Sequence, residues 1–80
     1  MANKTFTERI MDLSVVEIGQ EYIIRNVKTD DEDMNAFLFS LGCYAGEKIT
    51  VVARRSSGLV VAIKDARYNI DIQLAKAIII

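Results

Sequence analysis

The sequence predicts a small, mainly β domain, a strongly bent barrel carrying one short α-helix after its first strand. Three observations carry this. The chain is 80 residues long and 51% hydrophobic, enough for one core without staples. Its second half is a succession of short β-branched runs separated by hairpin signals. One segment alone, from Thr29 to Gly42, has helical periodicity with an acidic start and a glycine stop.

The segment through Met11 is the least patterned and is expected to fray or to lie over the barrel, leaving residues 12–80 as the domain. Leu13-Ser14-Val15-Val16-Glu17-Ile18-Gly19 has spaced apolar residues ending in a glycine turn. Tyr22 to Lys28 has the aromatic and β-branched composition of a strand. Its alternation is imperfect, which a bulge near Asn26 or burial of both faces at the barrel's closure would reconcile.

Thr29-Asp30-Asp31-Glu32 reads as a capping box, with Asp30, Asp31 and Asp33 placed where a helix dipole favours negative charge. Met34, Phe37, Leu38 and Leu41 then form one apolar stripe, and Gly42 ends the helix. Glu47 to Arg54 alternates, with Ile49, Val51 and Ala53 facing in and Lys48, Thr50, Val52 and Arg54 facing out. Arg55-Ser56-Ser57-Gly58 is a hairpin loop, and Leu59, Val61 and Ile63 continue the inward face. Lys64 to Arg67 turns the chain back into a strand marked by Tyr68, Ile70 and Ile72. Leu74 to Ala77 forms a helical turn, and Ile78 to Ile80 closes the sheet.

Composition excludes much chemistry. The chain has no His, no Trp, no Pro and a single cysteine, so the commonest general base and metal ligand is missing and no intrachain disulfide can form. A net charge of −1 and a pI near 5.3 give no general attraction to phosphate backbones. No apolar run is long enough to span a membrane or to serve as a signal peptide, so a soluble, cytoplasmic chain is expected. No catalytic residues, metal ligands or cofactors are assigned. The acidic run is explained by capping, and Cys43, which follows a helix C-terminus, reads as core.

What is left is surface recognition. Phe39 lies about 140° around the helix from Met34, which places it either beneath the N-terminal segment or in a binding patch. Tyr44, in the loop after the helix, extends that patch. Arg54 and Arg55, with Lys64 and Arg67, are the basic grouping, and they suit a solvated hairpin face or docking on an acidic surface. Phe39, Tyr44, Arg54 and Arg55 are therefore the candidate partner-binding residues. An exposed sheet edge, or Phe39, offers a route to self-association.

The stretch Phe37-Leu38-Phe39-Ser40-Leu41-Gly42-Cys43-Tyr44-Ala45-Gly46-Glu47-Lys48-Ile49-Thr50-Val51 resembles the FeoA domain family. The agreement extends upstream to Leu13, Val16, Gly19, Ile24 and Val27, and downstream to Val61, Ile63, Ile70, Ala75, Ile78 and Ile80. The resemblance implies an SH3-like barrel and an accessory role in bacterial ferrous-iron uptake. The implied partner is the cytoplasmic region of FeoB, a membrane transporter with a GTP-binding domain. Many family members have Pro where Ala45 stands and a basic residue where Asp71 stands. A second reading is a KOW-like SH3-barrel module that binds RNA or the transcription and translation machinery. The Gly46-Glu47-Lys48-Ile49-Thr50-Val51 strand entry supports it, and the acidic pI opposes it.

Overall fold

The computed structural model describes residues 11–80, so the expectation for the N-terminal segment falls outside the described residues except at Met11. A 3-10 turn over Leu13–Val15 precedes β1 (Glu21–Ile23), β2 (Asn26–Val27) and α1 (Glu32–Leu41). Strands β3 (Lys48–Arg55), β4 (Gly58–Ile63) and β5 (Ala66–Asp71) follow, then α2 (Ile72–Ala77) and β6 (Ile78–Ile79). The strands form a four-stranded antiparallel sheet ordered β1-β3-β4-β5 and a two-stranded sheet of β2 and β6. No continuous ladder closes the barrel. The chain passes from one sheet to the other at Ile24–Arg25, where the Ile24 N–H donates to the Glu47 carbonyl at 2.8 Å and the Arg25 N–H to that of Ile79 at 2.7 Å. This sheet switch, and not a bulge at Asn26, explains the imperfect alternation of Tyr22 to Lys28. A strand serving two sheets at a corner must present residues to the core out of phase.

The bulge lies in β3 instead. Val51 pairs with Val61 and Ala53 with Val60, so Val52 is an extra residue. A one-residue insertion exchanges the two faces of everything beyond it. Strict alternation sends Ala53 inward and Arg54 outward. In the structure Ala53 lies on the outer face opposite Val60, and Arg54 lies on the inner face opposite Leu59. Its guanidinium reaches back over the open end of the sheet, where Nη1 donates to the Ser14 carbonyl at 3.0 Å and Nη2 to that of Val16. Those carbonyls belong to the middle and the C-cap of the 3-10 turn that delivers Leu13 and Val16 to the core.

The core beneath is wholly apolar among the described residues: Leu13, Ile24, Leu38, Ile49, Val51, Leu59, Val61, Ile63 and Ile78 are its largest members. Helix α1 contributes Leu38 outright and half-buries Met34 and Leu41, whereas Phe37 stays exposed. The expected stripe is thus narrower, because α1 lies against the body along one line only. Its N-cap is Asp31 and not Thr29. The Asp31 carboxylate accepts from the N–H of Asp33 and Met34 at 2.9 and 3.1 Å, while the Thr29 hydroxyl accepts from the Asp31 N–H at 3.1 Å. An ionised carboxylate is the stronger acceptor, so the helix starts where it can use one. A second correction concerns Ile72, which opens α2 instead of ending β5. Asp71 caps that helix by accepting from the Leu74 N–H at 2.8 Å.

One glycine has no substitute. A Cβ on Gly58 would fall onto the Ile70 carbonyl oxygen and within 2.9 Å of the Asp71 Cα, both backbone atoms that cannot swing away. Gly58→Ala is expected to cost about 3 kcal/mol or to prevent folding, while Gly46→Ala, at φ 94° in open space, costs about 1–2 kcal/mol. Urea denaturation of both variants checks the order. Arg54→Ala is expected to lose about 2 kcal/mol through its two charged hydrogen bonds, against less than about 0.5 kcal/mol for Arg55→Ala. The same denaturation series measures it.

Candidate docking surface

The candidate surface is built on the way α1 ends. Gly42 adopts φ 98°, its N–H donates to the Phe39 carbonyl at 3.0 Å, and the Cys43 N–H donates to that of Leu38 at 2.9 Å. This paired arrangement satisfies the last carbonyls and turns the chain sharply, with Leu38 and Cys43 meeting in the core. A Cβ on Gly42 would press the Ile63 side chain at 3.2 Å, so the turn is both left-handed and tight. Leu38 points inward, and Phe39, about 100° further around the helix, points out. It is 66% exposed, the most exposed large apolar side chain among the described residues.

The turn then places Tyr44 beside Phe39, with ring centroids 5.3 Å apart and planes inclined at 45°. From the β4–β5 hairpin, the Lys64 ammonium donates to the Tyr44 hydroxyl at 3.0 Å, lies 5.5 Å from its ring centroid and sits 3.6 Å from a Glu47 carboxylate oxygen. Lys64 occupies φ 57°, the one non-glycine residue at positive φ among the described residues. That conformation costs about 1–2 kcal/mol and orients the side chain toward Tyr44. The hydrogen bond to Tyr44, followed by the charges of Tyr44 and Glu47, holds the Lys64 ammonium above its ordinary pKa. Leu41, Gly42 and Tyr68 complete the floor of a shallow open groove of about 610 Å³. An aromatic pair with a cation at its rim can hold an apolar side chain and orient a carboxylate; nothing in it activates a nucleophile.

The structure therefore brings Phe39 and Tyr44 together and sets Arg54 and Arg55 apart. Successive hairpins of a meander lie at opposite ends of the sheet. Arg55 faces Gly58 at the start of β4 and Lys64 follows its end, about 17 Å away. The basic grouping read from sequence is thus divided between two sites. The Arg54 guanidinium is engaged by backbone carbonyls, and Arg55 lines a separate depression of about 520 Å³ with Asn69 and Asp71. Lys64 and Glu47 are the members of the surface that sequence reasoning did not connect to Tyr44. The available signal was topological: the turn of the second hairpin returns to the end of the sheet at which β3 begins.

Among the described residues, no three His, Cys, Asp or Glu side chains converge as metal ligands, and no helix is long and apolar enough to cross a membrane.

The FeoA domain family model matches residues 11–80. The chain belongs to the FeoA family. Solved structures with the same fold include an iron uptake regulatory protein, FeoA, at TM-score 0.78 and 22% identity, covering 89% of this chain and 95% of that one. A second is the FeoA of Stenotrophomonas maltophilia, described as a zinc complex and as an SH3 domain protein in connection with ferrous iron transport activation. It matches at TM-score 0.77 and 22% identity over 88% of this chain and 89% of that one. A manganese-dependent transcriptional repressor contains the fold within a longer chain, at TM-score 0.81 and 24% identity over 92% of this chain and 42% of that one. Sequence comparison with curated proteins finds no match. The small SH3-like fold is thus the one expected, with its two sheets left unjoined. Asp71 serves here as the N-cap of α2.

Cys43, buried between α1 and the sheet, has its thiol pushed up to about 11 by burial. The folded state therefore keeps a proton that the unfolded chain releases from about pH 8.5–9. Stability from this group is complete below that range and is lost as pH rises toward 11, with a total of about 3 kcal/mol. The difference in urea stability between the native chain and Cys43→Ala, followed from pH 8 to 11, is expected to shrink by that amount.

Proposed function

We propose that this FeoA-family chain is a cytoplasmic accessory protein of ferrous-iron uptake. It binds and modulates the cytoplasmic region of a FeoB-type GTP-binding transporter through the Phe39–Tyr44 surface. Family membership supports the pathway. The observation that carries the docking surface is Phe39, 66% exposed on the side of α1 away from the core and in tilted contact with the Tyr44 ring. A large ring kept in water without a packing role costs solubility, and a partner that covers it recovers the apolar burial. The role is binding and not catalysis, since the groove offers an aromatic floor and an ammonium at its rim.

Arg54 and Arg55 enter this reading differently. Arg54 acts through the fold, by holding the 3-10 turn, and Arg55 would touch a partner only if the interface reached the far end of β4. RNA binding has less to work with, because the cations are split between two ends and Arg54 is already engaged.

Calorimetric titration of the transporter's purified cytoplasmic region with this chain tests the proposal. Phe39→Ala is expected to weaken binding by about 2 kcal/mol, roughly thirtyfold, with its thermal midpoint unchanged, and Arg55→Ala to change affinity less than about threefold. No binding by the native chain, or full binding by Phe39→Ala, would contradict it.

A further inference from the structure

Among the described residues, strand β5 is hydrogen-bonded along one side alone. It pairs with β4 alone, in unbroken register from Gly58–Asp71 to Ile63–Ala66, and no other described backbone group reaches it. Two defences of an edge, a proline and a bulge, do not occur in this strand, which is six residues long; its remaining protection is charge, from exposed Arg67 and Asp71. By contrast the other edge of the same sheet, β1, is three residues long and breaks off at the sheet switch.

The direction of the free groups follows from the hairpin. A two-residue loop, Lys64–Asp65, makes Ile63–Ala66 a hydrogen-bonded pair, and antiparallel ladders alternate from there. Ala66, Tyr68 and Ile70 therefore direct their backbone groups at β4, which agrees with the Ile70 carbonyl lying against Gly58. Arg67, Asn69 and Asp71 direct theirs outward. The same three carry the exposed side chains, whereas Tyr68 and Ile70 face the core side.

These outward residues are self-complementary about Asn69. An antiparallel copy of β5 centred there sets Asn69 opposite Asn69, Tyr68 opposite Ile70, and Arg67 opposite Asp71 twice. The two Asn69 residues exchange both backbone bonds, and each Asp71 N–H meets an Arg67 carbonyl. Opposite charges directly across a pair stabilise an antiparallel register, whereas shifting it by two residues opposes Arg67 to Asn69 and loses both ion pairs. Asp71 retains its carboxylate for this contact, since capping α2 uses only one of its two oxygens.

We infer that the β5 edge is a self-association surface, on which a second copy of this chain pairs β5 to β5 about a twofold axis at Asn69, extending the four-stranded sheet to eight strands. The occupant is a second copy because the charge order along the strand complements itself. The contact lies on the far side of the sheet order from β1 and does not use Phe39 or Tyr44.

The test uses single cysteines, since the one native cysteine, Cys43, is buried. Across the twofold axis the Asn69 Cα atoms of a hydrogen-bonded pair are about 5.5 Å apart, within disulfide reach. The Arg67 Cα atoms are about 14 Å apart. Mild oxidation of Asn69→Cys is expected to give a covalent dimer at least about tenfold faster than Arg67→Cys. Sedimentation should show the native chain dimerising with concentration and Arg67→Glu remaining monomeric, with circular dichroism confirming that Arg67→Glu is folded. Equal crosslinking of the two cysteine variants, or a native chain that stays monomeric up to millimolar concentration and so leaves the edge to a strand of another protein, would overturn the proposal.

Discussion

The extra residue at Val52 is the constraint on which the rest of the structure depends. Without it, Arg54 would lie on the outer face and the inner face of β3 would end in an alanine. With it, a guanidinium arrives over the open end of the sheet, beside the carbonyls of Ser14 and Val16. A small fold whose two sheets do not join has a gap that strand pairing cannot cover, and a charged donor fork is suited to holding a 3-10 turn across it. Leu13 and Val16 enter the core because that turn is held.

The same economy governs the other end. The helix must stop abruptly for Cys43 to be buried, Gly42 supplies the left-handed turn, and Phe39 is left outside by geometry. Tyr44 and Lys64 then meet over it from two different loops, and the two-residue hairpin turn holds Lys64 at positive φ. Such local conflicts, an exposed ring and a strained lysine, occur where a protein gives up some stability for recognition. The free β5 edge is a third departure from a self-contained fold, at a separate place and with a charge order that suits its own copy.

Much of this was legible in the sequence. The alternation in β4, the helix with its glycine stop, the hairpin loops and the buried cysteine all follow from local rules, because each depends on neighbours in the chain. Phe39 and Tyr44 were legible as a pair for the same reason. The inward turn of Arg54 was not, since a bulge leaves no mark when Val-Val-Ala can be read in either phase. Nor was the switch of sheets at Ile24–Arg25, or the start of α1 at Asp31, where several carboxylates competed to be the cap. The partnership of Lys64 with Tyr44 joins residues twenty positions apart, which only the meander brings together.

The central functional claim is that the partner is met on the face made by the end of α1 and the β4–β5 turn. Backbone amide shifts of the labelled chain, recorded while the transporter's cytoplasmic region is added, test it most directly. The perturbed amides are expected to cluster at Phe39 to Tyr44, Lys64 and Tyr68. Perturbations centred on Arg55 to Gly58, or none on addition of a saturating partner, would contradict it.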